Sequence, residues 1–201
     1  MRQIEFLVEE PSAKEALKNL VPKILVGIPF NIRAFQGKED LIKNLLAHLK
    51  AYKNYIDENC YIVIVIDKDI EDCNVLKDKL EKITQEAGFV SRSKAKEGKY
   101  QVINRIAIEE LEAWFFGDVV AINAAYKKIS LNIANQEKYR EPDAITGGTA
   151  EALERLLKDK KYCTRMRKIE VARNISVHMD PERNTSKSFQ VFRDALKDLK
   201  K

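Results

Sequence analysis

Cysteine and histidine are scarce in this chain. Cys60, Cys73 and Cys163 stand far apart, and no Cys-x-x-Cys pair occurs. That points away from a disulfide framework and from a cysteine zinc site, and it fits a reducing cytoplasm. His48 and His178 each lack a neighbouring histidine, which removes His-rich zinc sites and the His-Glu-x-x-His peptidase pattern. Any metal would be held mainly by oxygen, so magnesium, manganese or calcium is the expected class. No purely apolar run is longer than Tyr61–Ile66, far short of the ~18–20 residues a membrane-spanning helix needs. The opening Met-Arg-Gln-Ile-Glu-Phe has no apolar core of an export signal, so a cytoplasmic setting without membrane contact is expected. Internal repeats and low-complexity tracts are also missing. Gly147-Gly148-Thr149 is not followed by Lys-Ser or Lys-Thr, so it reads as a capped loop and not as the phosphate loop of a nucleotide hydrolase.

What remains is an ordinary globular composition. The 201 residues are 45% hydrophobic and 33% charged, enough for one domain, or one domain with an appendage, to bury a core without staples. The charge is uneven. Residues 151–201 hold 14 of the 36 basic and 8 of the 31 acidic side chains, which leaves that segment at +6 and the rest at −1. A basic end on a near-neutral body suits an anionic partner, nucleic acid first, although a solvated helical face accounts for the excess equally well.

Periodicity gives the fold class. Arg2–Val8 alternates like a strand, and Pro11 and Ser12 open a helix ending near Pro22. Ile24–Phe35 contains a second strand, and Leu41, Leu45, Leu46 and Leu49 carry a helix over Glu39–Tyr55. Tyr61–Ile66 has the continuous β-branched character of a strand buried on both faces. A helix through Leu76, Leu80 and Ile83, a short strand near Val90 and a strand over Tyr100–Ile108 follow. Alternating strands and helices predict a three-layer α/β domain, a mostly parallel central sheet flanked by helices. Residues 1–125 form this core. Residues 126–201 form a polar linker (127–145) and a basic helical extension packed on the core, with helices over Ala150–Leu157, Met166–Val177 and Phe189–Leu199.

Ligands of open parallel sheets collect at the carboxyl ends of the strands. Three of these ends finish in carboxylates: Glu9 and Glu10; Asp67, Asp69 and Asp72; Glu109, Glu110 and Glu112. Asp67 and Asp69, two apart on an extended backbone, face the same side. Their mutual repulsion, about 2–3 kcal/mol at an effective dielectric near 20, is relieved by a bound cation. Magnesium held by one or two carboxylates and waters is the usual solution. Acidic strand ends also occur simply because carboxylates favour helix N-termini.

Other features have blander readings. Trp114, Phe115 and Phe116 read as core before they read as a base-stacking platform. The densest basic stretch includes Lys160, Lys161, Arg165, Arg167, Lys168 and Arg173. Contact with a nucleic-acid backbone and contact with an acidic protein both remain open for it.

Leu7-Val8-Glu9-Glu10-Pro11-Ser12, Ile64-Val65-Ile66-Asp67-Lys68-Asp69 and Glu110-Leu111-Glu112-Ala113-Trp114-Phe115 together resemble a TOPRIM-like (topoisomerase–primase) family. The closest likeness is to an uncharacterised domain-of-unknown-function branch often encoded beside an ATPase in bacterial defence loci. Ser188-Phe189-Gln190-Val191-Phe192-Arg193-Asp194-Ala195-Leu196 resembles that branch's C-terminal end. The likeness implies a TOPRIM or Rossmann-like fold and a nuclease or related phosphoryl-transfer enzyme dependent on Mg2+ (or Mn2+). It also implies nucleic acid, DNA or RNA, as substrate, and an ATPase subunit as a partner. On the same footing Glu9 matches the acid–base glutamate, Asp67 and Asp69 match the magnesium-binding pair, and Glu112 matches the branch's later acid. Two positions depart from the pattern: Glu10 replaces a usual glycine, and Ala13 replaces a common second acid. The alternative expectation is a non-catalytic module that binds nucleic acid or an ATPase and retains the TOPRIM fold.

Overall fold

The computed structural model describes residues 2–69, 71–96 and 98–200. Four strands form an all-parallel sheet in the order β2-β1-β3-β4: β1 Gln3–Val8, β2 Phe30–Ala34, β3 Cys60–Asp67 and β4 Val102–Ala107. Helices α1 (Pro11–Ile24), α2 (Lys38–Lys53) and α3 (Cys73–Glu86) connect successive strands. β1 lies between β2 and β3, with Leu7 opposite Arg33 on one side and Ile64 on the other. Because the strands run the same way, Glu9, Gln36 and Asp67 leave the sheet at one edge.

The chain groups into two compact units. The first contains the residues up to Lys14 and Gly27–Ile106. Its core joins one face of the sheet (Leu7, Ile62, Ile64 and Ile66) to Leu41, Leu45 and Leu49 of α2 and Leu76 and Leu80 of α3. The four-residue spacing of those leucines is what makes each helix bury one stripe. Ile4, Phe6, Val8, Val63 and Val65, which point to the opposite face, are buried as well. Burial on both faces is what a three-layer arrangement requires and why β3 reads as an unbroken apolar run. Helix α1 extends past Pro22 to Ile24, beyond the expected stop. The strand expected near Val90 is reduced to a single bridge between Ser91 and Val102.

Beside that bridge, Glu81 of α3 is buried and accepts hydrogen bonds from Ser91 Oγ, Ser93 Oγ (2.7 Å) and Asn104 Nδ2 (3.0 Å). Burial pushes its pKa up, but the three donors outweigh burial and hold it below the usual carboxylate value. A depressed folded-state pKa stabilises the fold above the unfolded-state value, near 4.3, and that contribution is lost as pH falls through the folded-state value. Denaturation of Glu81→Gln should therefore show its deficit against the parent at neutral pH and a shrinking one below about pH 4. A deficit independent of pH would contradict this.

The second unit contains Glu15–Val26 and Ala107–Lys201. Its helices are α4 (Glu112–Phe116), α5 (Val119–Ala125), α6 (Glu137–Arg140), α7 (Thr149–Asp159), α8 (Lys168–Ser176) and α9 (Lys187–Asp198), together with the later part of α1. Asn19 Nδ2 donates to Ser176 Oγ (2.9 Å), and Lys23 Nζ donates to the carbonyls of Val177 (2.8 Å) and Met179 (2.7 Å). The core of this unit is aromatic. Trp114 stacks on Phe192 at 4.9 Å and meets Phe189 edge-on at 5.3 Å. Its Nε1 donates to Ser188 Oγ (3.0 Å), which donates in turn to Asp143 (2.6 Å). Gly117 allows the close approach of Asn184 and Ser186, since a Cβ there would lie 2.1 Å from Asn184 Oδ1.

Residues 127–145 are not the featureless polar linker expected from their composition. They form two 3-10 turns and α6, and they bury Ile129, Ile133, Tyr139 and Ile145. Tyr139 stacks on Phe116 at 5.2 Å. With Pro142 also buried, a few well-placed apolar side chains anchor a stretch that looks polar on average. Among the described residues no helix is long and apolar enough to cross a membrane. Trp114→Ala should cost about 3–5 kcal/mol in chemical denaturation, the range for deleting a buried large aromatic. A cost below about 1 kcal/mol would mean that the aromatic cluster is not the core of this unit.

Candidate active site at the carboxyl edge of the sheet

The first unit gathers charge where its strands end. β1 runs into Glu9, a buried carboxylate only 7% exposed. Its Oε2 accepts the main-chain N–H of Asp67 at the end of β3 (3.0 Å), and its carbonyl accepts the N–H of Gly37 after β2 (3.0 Å). One residue thus ties three strand ends together. Gly37 has φ +102°, a conformation L side chains rarely adopt, and it turns the chain from β2 into α2. Immediately beyond it, Lys38 Nζ lies 2.7 Å from Asp69 Oδ2 and 3.6 Å from Glu71 Oε1, and it donates to the carbonyl of Lys68 (3.1 Å). Asp69 itself has φ +49°, a left-handed conformation that Asp tolerates better than most residues.

The electrostatics follow from this packing. Burial pushes Glu9 above the usual carboxylate pKa. The Asp67 amide and the Lys38 charge pull it back, while Asp69 and Glu10 add to the rise, and the net direction is up. For Lys38, burial would lower the ammonium, but the hydrogen bond and charge of Asp69, joined by Glu71 and Glu9, prevail and raise it. Glu10, in the position where the resembled family has glycine, is not among the residues of positive φ, and its carboxylate accepts from Ser12 Oγ (3.2 Å). The turn therefore holds a glutamate without left-handed strain.

Glu9, Asp67 and Asp69, singled out from the sequence, lie in this one neighbourhood of the first unit, with Asp67 half-buried and Asp69 exposed. Glu112 is the first residue of α4 in the second unit and is 2% exposed. Lys38 was not singled out. A lysine directly after a glycine at a strand end was the available signal, and it is weak. The donors here are carboxylate oxygens, the chemistry magnesium and manganese prefer. Among the described residues no three Asp, Glu, His or Cys side chains form a group that could hold a metal ion by themselves. Magnesium commonly takes only one or two carboxylates and completes its shell with water, so these residues fit it on that basis.

The basic residues lie in the second unit. Lys160 and Lys161 end α7 and are exposed, Arg165 is exposed in the following loop, and Arg167 precedes α8 with Nη1 3.8 Å from Glu170. Lys168 opens α8 with Nζ 3.8 Å from Glu110, and Arg173 Nε bonds Glu15 Oε2 at 2.8 Å. Glu110 also caps α7, accepting from Thr149 Oγ1 (3.1 Å) and Ala150 N (2.8 Å), so this acid is held in a structural role.

A parallel α/β sheet with carboxylates at its carboxyl edge places the protein among α/β proteins with a strand-end acidic site. The family model described as a domain of unknown function (DUF4276) matches residues 8–197, and the chain belongs to that family. No curated protein and no solved structure matches it significantly.

Lys38→Met removes a cation that lowers Glu9. The Glu9 carboxyl midpoint, followed by carbon-13 NMR, should move further up; an unchanged midpoint would show that Lys38 does not act on it.

Proposed function

We propose that this protein is a Mg2+-dependent phosphoryl-transfer enzyme acting on nucleic acid, a nuclease of TOPRIM type. The observation that carries the reading is the convergence of Glu9 with Asp67 and Asp69 at the carboxyl edge of a parallel sheet. Asp67 and Asp69 would hold the ion, with Glu112 as the later acid of the resembled family. When bound, magnesium or manganese supplies charge neutralisation at the phosphate and at the leaving oxygen. Glu9 supplies the proton transfer. Without metal, burial holds its carboxyl above the usual carboxylate pKa; its role in the proposal is to exchange a proton with attacking water or leaving group. Lys38 pairs with Asp69 and, with the Asp67 amide, pulls the Glu9 carboxyl back down. The basic stretch from Lys160 to Arg173 supplies phosphate contacts, whose strength comes mostly from counterion release. A bacterial defence setting with an ATPase subunit encoded nearby, in the cytoplasm, belongs to the same proposal and rests on the family likeness.

One observation favours a second reading, a non-catalytic module that binds nucleic acid or an ATPase. The Lys38 ammonium already neutralises Asp69 and reaches Glu71, so part of the need for a metal is met from within the chain.

Cleavage of labelled single- and double-stranded DNA and RNA, titrated with Mg2+ and Mn2+, separates the two. Glu9→Gln should lower metal-dependent cleavage by about 100-fold or more, the usual scale for losing an acid–base group, and Asp67→Ala, which removes a carboxylate that would hold the ion, should lower it at least as far. Equal cleavage by Asp67→Ala and the parent would end the nuclease reading, and no cleavage by the parent in either metal would favour the binding module.

A further inference from the structure

The sequence marked residues 160–173 only as a loose basic stretch. The structure gives part of it a shape. A cleft of about 290 Å³, at the small end of the ~300–1,000 Å³ range of small-ligand sites, is lined by Tyr126 of the α5 end, by Tyr162, Cys163 and Arg165 of the α7–α8 connection, and by Arg167 and Glu170 at the start of α8. We propose that this cleft takes one unpaired nucleotide of a single-stranded nucleic acid, with the base against the tyrosine pair and the phosphate against Arg165, Arg167 and the opening amides of α8. The choice of ligand class rests on the nucleic-acid reading above.

Three features carry it. The first is a fixed aromatic wall. Tyr126 and Tyr162 meet edge to face at 5.0 Å, the Tyr162 hydroxyl accepts the N–H of Lys128 (2.8 Å), and Lys128 Nζ lies 5.5 Å from the Tyr162 ring centre. The second is the turn that sets this wall. α7 ends with Tyr162 N donating to the carbonyl of Leu157 (2.9 Å) and Lys161 N to that of Lys158 (2.9 Å). This is the paired closure of a Schellman motif, with Lys161 in the left-handed position (φ +58°) that glycine usually fills. Holding a lysine there costs backbone energy.

The third is the anion side. α8 has no side-chain cap, since Arg167 occupies the capping position without bonding the helix amides. Those amides, with the positive end of the helix, favour an anion flanked by Arg165 and Arg167. Two carboxylates oppose this, and both are engaged. Glu170 lies 3.8 Å from Arg167, and Glu154 accepts the Met166 N–H (3.0 Å) and pairs with Lys158 (3.0 Å). A cleft with an aromatic wall on one side and guanidinium groups on the other matches the two halves of a nucleotide, and stacking on tyrosine tolerates any base.

The test is binding, with the full chain in EDTA so that cleavage plays no part. Anisotropy of a fluorescein-labelled oligothymidylate is measured over a salt series, beside a duplex of equal length, and melting curves check that each variant folds. Arg165→Gln combined with Arg167→Gln should weaken oligothymidylate binding at least tenfold. It should also flatten the slope of log K against log salt by about 0.7, one single-strand phosphate's worth. Tyr162→Leu should lose about tenfold with the slope unchanged, while Tyr162→Phe keeps the affinity. The duplex should be affected less. Unchanged oligothymidylate affinity in the double arginine variant would overturn the proposal. So would equal losses for Tyr162→Leu and Tyr162→Phe, or displacement of the oligonucleotide by polyglutamate as readily as by unlabelled oligothymidylate. Because Asp67 and Glu9 are untouched and metal is absent, failure here leaves the cleavage test standing, and failure of the cleavage test leaves this result standing.

Discussion

One carboxylate withdrawn from water organises the first unit. Glu9 sits where β1 ends, and the main-chain N–H of Asp67 holds its side chain, so the ends of two hydrogen-bonded strands are pinned through a charge. Placing that charge away from solvent is unfavourable unless something answers it. The amide answers part. The Lys38 ammonium, brought close by the Gly37 turn, answers a smaller part, and it holds Asp69 and approaches Glu71 at the same time. The raised pKa of Glu9 is what remains unanswered.

That residue of unfavourable charge can be read in two ways. A divalent ion would complete the compensation, and acids poised around an incomplete charge balance are what phosphoryl-transfer chemistry uses. An amide and a lysine that already do part of the compensating give instead a stable acidic edge with no chemistry. The same ion pair therefore bears on both readings, and Lys38 is the residue on which they differ.

The fold was largely legible in the sequence because its signals are local. Alternation in β1, the β-branched run of β3 and the leucine spacing of α2 and α3 each survive as elements, and their order gives the parallel sheet. The Glu-Ala-Trp segment and the Ser-Phe-Gln-Val-Phe segment were visible as motifs, but not their relation. They are one aromatic core, with Trp114 on Phe192 and its nitrogen on Ser188. The order in residues 127–145 was hidden because five scattered buried side chains in a polar stretch leave no periodicity. In the site, Glu9 and Asp67 were legible as strand ends, since topology alone brings them to one edge. Lys38 was not, because its role depends on a turn that aims it at a partner thirty-one positions away.

The make-up of the second unit has a consequence for how the chain reaches its native state. Leu17 and Leu20 on α1 are fully buried, and Asn19 and Lys23 bond groups around residue 176 and beyond. Residues of α1 thus belong with a helix 157 positions further along the chain. A fragment starting near Ala107 would emerge from the ribosome lacking a strut of its own, so dissection at that point should yield an aggregating remnant instead of a transplantable module.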